Sequence, residues 1–334
     1  MKALALLSGG LDSSLAVKFM LDQDIEVIGV NFFTPFCLCD GKKGRKKKSI
    51  VLAEELNIEL KLFNISEEYL QIVKNPRYGY GKNLNSCIDC RILMLRKAKQ
   101  LMSKIGADFV ITGEVLGQRP MSQNRRAMEI IEKESGLEGL IVRPLSAKLL
   151  PPTIPEKEGW INRERLLDIV GRTRKRQFSL AKEFGISEYA CPAGGCLLTD
   201  PIFSARIRDL LNSDMLTLQN INLVKSGRYF RISDSFKLIV GRNQEENQRL
   251  MKLTREGDLI LELESKGPVA VGRGRRESED IETASRIVAY YCKDEKGRIK
   301  VRSIPEEEVQ VVTPVKMTDE ELFRYKLPVK EIKR

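Results

Sequence analysis

The amino-acid sequence predicts an α/β fold: a doubly wound parallel sheet followed by a C-terminal α+β domain. Three observations carry that reading. A glycine-containing turn, Ser8-Gly9-Gly10-Leu11-Asp12-Ser13-Ser14, joins an apolar run to an amphipathic stretch. Strand-like and helical patterns alternate through residue 145. From about Phe203 the texture changes to short strand-like pieces mixed with short helices. A chain of 334 residues has room for two or three domains with cores of their own. The expected division is 1–145 for the sheet, 146–202 for a linker, helices and a cysteine loop completing the same region, and 203–334 for the second domain.

Taken in order, strands are expected at 2–7, 26–32, 59–64, 108–112 and 139–143, with helical patterns between them. Ligands of such sheets bind at the carboxyl ends of the strands. The informative loops 8–14, 35–40 and 113–119 all fall there. A proline-rich break runs from Pro144 to Pro155, followed by two predicted helices at 162–170 and 173–184 and a loop from Cys191 to Asp200. In the second domain, strands are expected at 229–232, 237–240, 258–263, 298–302 and 309–312.

The first loop has its own chemistry. Glycines let the backbone curl with its N–H groups turned into one concavity. The helix that follows adds partial positive charge at the same spot. Such a loop holds a phosphate-like anion. No lysine follows its glycines, so it is not the Walker-type loop.

Composition narrows the chemistry further. The formal net charge of +11 points to a polyanionic partner. No apolar run reaches membrane-spanning length and no signal-peptide pattern is present, so a cytoplasmic protein without a membrane partner is expected. The chain contains no histidine, which excludes Ser-His-Asp catalysis, Cys-His proteolysis and histidine-ligated metals. Proton transfer falls to carboxylates, lysine, tyrosine, cysteine or water.

Seven cysteines in such a chain favour metal or redox chemistry over structural disulfides. Cys87-Ile88-Asp89-Cys90-Arg91 opens a predicted helix through Met102. A C-x-x-C at a helix start sets both sulfurs on one side, and the helix terminus favours thiolate. Two sulfurs complete neither a zinc site nor an iron–sulfur cluster. Cys196 is the expected third ligand, because Gly194-Gly195 before it permits close approach; Cys191 is the alternative. Three readings stand: a [4Fe-4S] cluster with three cysteine ligands and one open iron, a persulfide or disulfide pair, and a four-cysteine zinc site. Cys37-Leu38-Cys39 is read as incidental, with extra ligands as the alternative, and Cys292 as a core residue.

A third element, Thr112-Gly113-Glu114-Val115-Leu116-Gly117-Gln118-Arg119 with Ser122-Gln123, lies at a strand end where it would face a bound nucleotide. Together with the turn 8–14, with Cys90-Arg91, Met94 and Arg96-Lys97-Ala98, and with Arg143-Pro144-Leu145, it resembles the catalytic domain of the tRNA 4-thiouridine synthetases. The cysteine layout is also similar to the tRNA 2-thiouridine and 2-thiocytidine enzymes, which share this pyrophosphate (PP) loop. The resemblance covers roughly residues 1–200. The stretch around Gly227-Arg228-Tyr229, Val240-Gly241-Arg242-Asn243 and Glu246-Asn247 is similar to an RNA-associated domain of ribosome-quality-control proteins. Because the loop begins at Ser8, neither the RNA-binding module that precedes it in the 4-thiouridine enzymes nor a rhodanese-like domain is expected. The expectation is that sulfur arrives by another route, from inorganic sulfide or a sulfur-carrier protein.

The resemblance implies an ATP-dependent tRNA sulfurtransferase. Attack of a pyrimidine carbonyl oxygen on the α-phosphate of ATP makes an adenylate and releases pyrophosphate; a sulfur nucleophile then displaces AMP. In that scheme the backbone of Ser8, Gly9, Gly10 and Leu11 holds the phosphates, and Ser13 or Ser14 adds a hydroxyl. Asp12 holds Mg²⁺, with helix capping as its alternative, and Gly113 lets the backbone approach the adenosine. Cys87, Cys90 and Cys196 hold the cluster, or Cys90 or Cys196 carries a persulfide. Basic segments would meet the RNA phosphates: Lys46, Lys47 and Lys48 in the first, Arg174, Lys175 and Arg176 in the second, and Arg273-Gly274-Arg275-Arg276 in the third. A PP-loop ligase acting on a small molecule and a non-catalytic RNA-binding protein are the competing readings.

Overall fold

The computed structural model of the chain describes residues 1–37, 47–187, 189, 195–292, 297–305 and 309–327. Contacts divide it into two compact units, Met1–Thr199 and Asp200–Arg334.

In the first unit the chain runs β1 (Lys2–Leu6), α1 (Leu11–Leu21), β2 (Glu26–Phe33), α2 (Lys48–Glu55), β3 (Leu60–Asn64), α3 (Ser66–Lys74), α4 (Cys87–Ile105), β4 (Phe109–Thr112), α5 (Arg125–Ser135), β5 (Ile141–Val142), α6 (Ile154–Lys157) and α7 (Lys175–Glu183). The five strands are all parallel and stand in the order β3-β2-β1-β4-β5. The predicted doubly wound sheet is therefore present. β1 is apolar on both faces because helices cover both sides. Ala3 and Ala5 pack with Leu15, Phe109 and Ile111 on one face. Leu4 and Leu6 pack with Leu95, Ala98, Val110 and Ile131 on the other. The chain turns outward from β1 to β2 and β3, then returns across β1 to β4 and β5. The order reverses between β1 and β4, so a crevice opens beyond their carboxyl ends.

One expected helix is absent. Within 162–170 only a single 3-10 turn forms, Arg163–Arg165, started by the Asn162 side chain accepting from the Glu164 N–H at 2.9 Å. The segment then runs extended, and Val170 bridges Leu116 in parallel while the Gly171 N–H donates to the Leu116 carbonyl at 2.7 Å. Backbone pairing beyond β4 takes the place of helix.

The second unit runs α8 (Pro201–Asn212), α9 (Leu218–Val224), β6 (Arg228–Arg231), β7 (Phe236–Val240), α10 (Gln244–Lys252), β8 (Leu259–Leu263), β9 (Val269–Gly274), α11 (Ser278–Tyr290), β10 (Ile299–Ser303), β11 (Gln310–Val312) and α12 (Asp319–Tyr325). Its six strands form an antiparallel sheet in the order β11-β10-β8-β9-β7-β6. α11 packs Ala284, Ile287 and Val288 against Leu238, Leu261 and Val301, and Cys292 joins that core as expected. Among the described residues, no helix is long and apolar enough to cross a membrane.

Candidate active site

The turn after β1 carries the expected curl. Gly9 has φ of +80°, a left-handed conformation that glycine adopts without strain. A Cβ there would lie 2.8 Å from the Ser49 backbone nitrogen. Gly10 precedes α1, whose first N–H groups have no intrahelical partner. Ser13 donates to the Gly10 carbonyl at 2.8 Å and lies 3.2 Å from the Ser8 hydroxyl. Ser14 is buried and donates to the Leu11 carbonyl at 2.8 Å, so its hydroxyl braces the turn from within. Across the crevice Gly113 follows β4. A Cβ on it would stand 2.5 Å from the Asp12 carbonyl, so only glycine lets the end of β4 approach the first turn of α1 this closely.

Asp12 is not a helix cap: Gly10 holds that position and makes no side-chain cap bond. One Asp12 carboxylate oxygen accepts from Gln118 Nε2 at 2.7 Å and pairs with Arg174 Nη2 at 3.3 Å. Its other oxygen, Oδ1, is buried without a hydrogen-bond partner. Gln177 on α7, fully buried, donates in turn to Gln118 at 3.2 Å. Sequence reasoning missed this chain of amides, because nothing local marks a glutamine as the support of a carboxylate 106 positions away. Arg174, expected among the RNA contacts, is held inside the crevice by Asp12.

A cavity of about 510 Å³ spans the crevice. Ser8, Gly10, Leu11, Asp12, Ser13 and Gly113 line one part of it, and Cys37, Cys87, Cys90 and Cys196 line another. All four cysteines are free thiols. Cys87 and Cys90 sit on the first turn of α4, and Cys87 Sγ donates to Ser122 Oγ at 3.1 Å. Cys37 and Cys196 face each other across an antiparallel bridge, reinforced by the Leu197 N–H donating to the Phe36 carbonyl at 2.8 Å. Cys37, whose C-x-C is read from the sequence as incidental with extra ligands as the alternative, lines this cavity from the loop that follows β2. Cys39 and Cys191 lie outside the described residues. Burial pushes the Cys90 thiol well above its usual range, and the neighbouring Cys87 and Cys196 add to the shift. Burial likewise pushes Cys196 up to about 12, with Cys37 and Cys87 adding to it. Among the described residues no three Cys, Asp or Glu side chains are grouped closely enough to hold a single metal ion.

Beneath the cavity sits a buried ionic lock. Glu114, fully buried, accepts from Arg91 Nε at 2.8 Å, Arg143 Nε at 3.0 Å and the Thr112 hydroxyl at 3.2 Å. Burial alone would raise its carboxyl, but the Arg91 and Arg143 guanidiniums override that and hold it at about 2. Arg91 follows Cys90, so the lock ties the cysteine helix to the β4 end.

The remaining basic residues divide. Lys46 lies outside the described residues. Lys47 lines the cavity with its Nζ 3.5 Å from the Phe33 ring centroid, and Lys48 begins α2 beside Gly9. Lys175 is exposed and Arg176 pairs with Asp168. Arg273 corrects its expectation as an RNA contact. It is buried and bound to Asp258 at 2.5 and 2.7 Å and to Asn220 at 3.2 Å, so its charge is spent inside the second unit.

Residues 1–148 match the family model described as thiamine biosynthesis protein (ThiI), and residues 227–326 match the one described as NFACT protein RNA binding domain. A probable tRNA sulfurtransferase of Thermococcus kodakarensis is 29% identical over 153 residues, 43% of this chain and 36% of that protein. The tRNA-specific 2-thiouridylase MnmA of Pelobacter propionicus is 30% identical over 119 residues, 34% of this chain and 33% of that protein. The chain spans about a third of the length of these curated relatives. A solved 4-thiouridine synthetase in complex with RNA and bound ATP shares 21% identity at a TM-score of 0.35, covering 66% of this chain and 52% of that one. The family and relative matches bear out the resemblance to the PP-loop tRNA thiolation enzymes.

Proposed function

We propose that the chain is an ATP-dependent tRNA sulfurtransferase that replaces a pyrimidine carbonyl oxygen with sulfur. The observation that carries this reading is the single cavity in which a phosphate-gripping turn and four free cysteines face one space. In the proposed reaction the base oxygen attacks the α-phosphorus of ATP, and the bond to pyrophosphate breaks. Sulfur then attacks the same base carbon, and the carbon–oxygen bond breaks to release AMP. The curl at Gly9 and the N–H groups at the start of α1 bind the phosphate tail. Gly113 keeps the opposite wall low enough for the nucleotide. Arg174 stands beside Asp12 with a positive charge for the departing pyrophosphate. The unpartnered Asp12 Oδ1 fits a Mg²⁺ ion, which would offset pyrophosphate charge.

The donor set fits an iron–sulfur cluster. Soft sulfurs surround one cavity, and their burial and mutual repulsion favour a cationic metal group that would hold them as thiolates. Each thiolate of a cubane holds a different iron, so its ligands stand farther apart than those of one zinc ion. Cys87, Cys90 and Cys196 would hold the [4Fe-4S] cluster, which would supply an iron free of cysteine to carry the incoming sulfur. Tests follow directly. Anaerobically prepared protein with ATP, sulfide and tRNA should yield a thionucleoside by mass spectrometry; no thionucleoside, with ATP consumed on a small molecule instead, would refute the tRNA reading. Cys196→Ala should abolish thiolation but keep tRNA-dependent pyrophosphate release. A colourless protein that is inactive with sulfide but active with a sulfane-sulfur donor would shift the sulfur carrier to a cysteine persulfide.

A further inference from the structure

Tyr69 on α3 is 2% exposed, and its phenol is spent on the sulfur side of the cavity rather than on solvent. Burying a hydroxyl costs free energy unless both its acceptor and donor sides are used. Ser86, fully buried just before α4, donates to the Tyr69 oxygen at 3.3 Å. That leaves the phenolic hydrogen to donate elsewhere, and Cys87, Cys90 and Cys196 line the same cavity as Tyr69. The ring is fixed edge-on against Phe36, with centroids 5.7 Å apart, and Phe36 precedes Cys37. The phenol therefore stands among the segments that carry Cys37, Cys87, Cys90 and Cys196.

We propose that Tyr69 is a positioning residue of the sulfur site: its hydroxyl, polarised by Ser86, donates a hydrogen bond to Cys196 Sγ and so tunes the cluster that Cys87, Cys90 and Cys196 hold. This rests on the cluster reading given above. A hydrogen bond to a ligating thiolate withdraws negative charge from sulfur. It stabilises the reduced, more negative cluster over the oxidised one and raises the reduction potential. Phenylalanine would fill the same volume and keep the edge contact with Phe36, but would forfeit the bond.

The test compares the full-length protein with Tyr69→Phe after anaerobic reconstitution, reading iron per chain and the potential in a redox titration followed by electron paramagnetic resonance. The expected result is equal iron content with a potential shifted to more negative values and faster loss of iron to a chelator. Ser86→Ala, which keeps the phenol but removes its polarising partner, should shift the potential the same way by less. Ser86→Ala also decides the matter if Tyr69→Phe does not fold. Iron-loaded variants with an unchanged potential would overturn this inference alone. A parent protein that takes up no iron would overturn the cluster reading and this inference with it.

Discussion

Glu114 shows how much one side chain can hold. Its fully buried carboxylate gathers the residue after Cys90, the end of β4 and the residue after β5 into one contact. Because its folded value of about 2 lies below the ordinary carboxylate value, its contribution is complete above about pH 4.5 and is lost as pH falls toward 2. Glu114→Gln should cost about 3–5 kcal/mol at pH 7, since two guanidiniums lose their counter-charge. Urea unfolding at pH 7 and pH 3 checks both points: the gap between parent and variant should narrow at the lower pH. Gly113→Ala tests the crevice itself. Its Cβ would stand 2.5 Å from backbone atoms of Asp12 and Ser13, so the phosphate turn must yield. ATP affinity measured by calorimetry should fall about tenfold, or about 1.4 kcal/mol.

Among the elements, α4 is the one that most directly makes the site. Nineteen residues carry Cys87 and Cys90 at its start and end at Gly106 in a left-handed conformation, φ +66°. Gly106→Ala should lower stability by roughly 1–2 kcal/mol without moving the cysteines, read from urea denaturation. The parallel strands of the first unit were legible in the sequence because each is a short apolar run bounded by turn residues, and burial on both faces leaves that run unbroken. β9 was not legible. Gly272 is small because the Phe236 ring packs over it, with a Cβ placed 2.3 Å from that ring, and Arg273 points inward to Asp258. A glycine and a buried charge erase the alternation that marks a strand. The helix expected at 162–170 failed for the opposite reason: its local pattern was favourable, and backbone pairing of Leu167 and Ile169 with Pro144 and Leu145, and of Val170 with Leu116, won. The phosphate turn and the C-x-x-C are local motifs and could be read directly. The pairing of Cys37 with Cys196, the amides behind Asp12 and the phenol at Tyr69 are long-range contacts with no sequence spacing to announce them.

At the scale of the whole molecule, the two compact units make separable predictions. The segment 200–334, expressed alone, should unfold in one cooperative transition and bind tRNA with an affinity that weakens as salt rises. Non-cooperative melting, or binding indifferent to salt, would contradict an independent RNA-binding role. The first unit carries a different lesson in Arg174 and the Gln177-to-Gln118 contact. The matched ThiI region stops at residue 148, whereas these side chains come from well beyond it. A fragment cut at that homology border would keep every residue of the recognised motif and still strip Asp12 of its cationic partner and its buttress. The stretch of recognised homology is therefore shorter than the stretch that holds Asp12 in place.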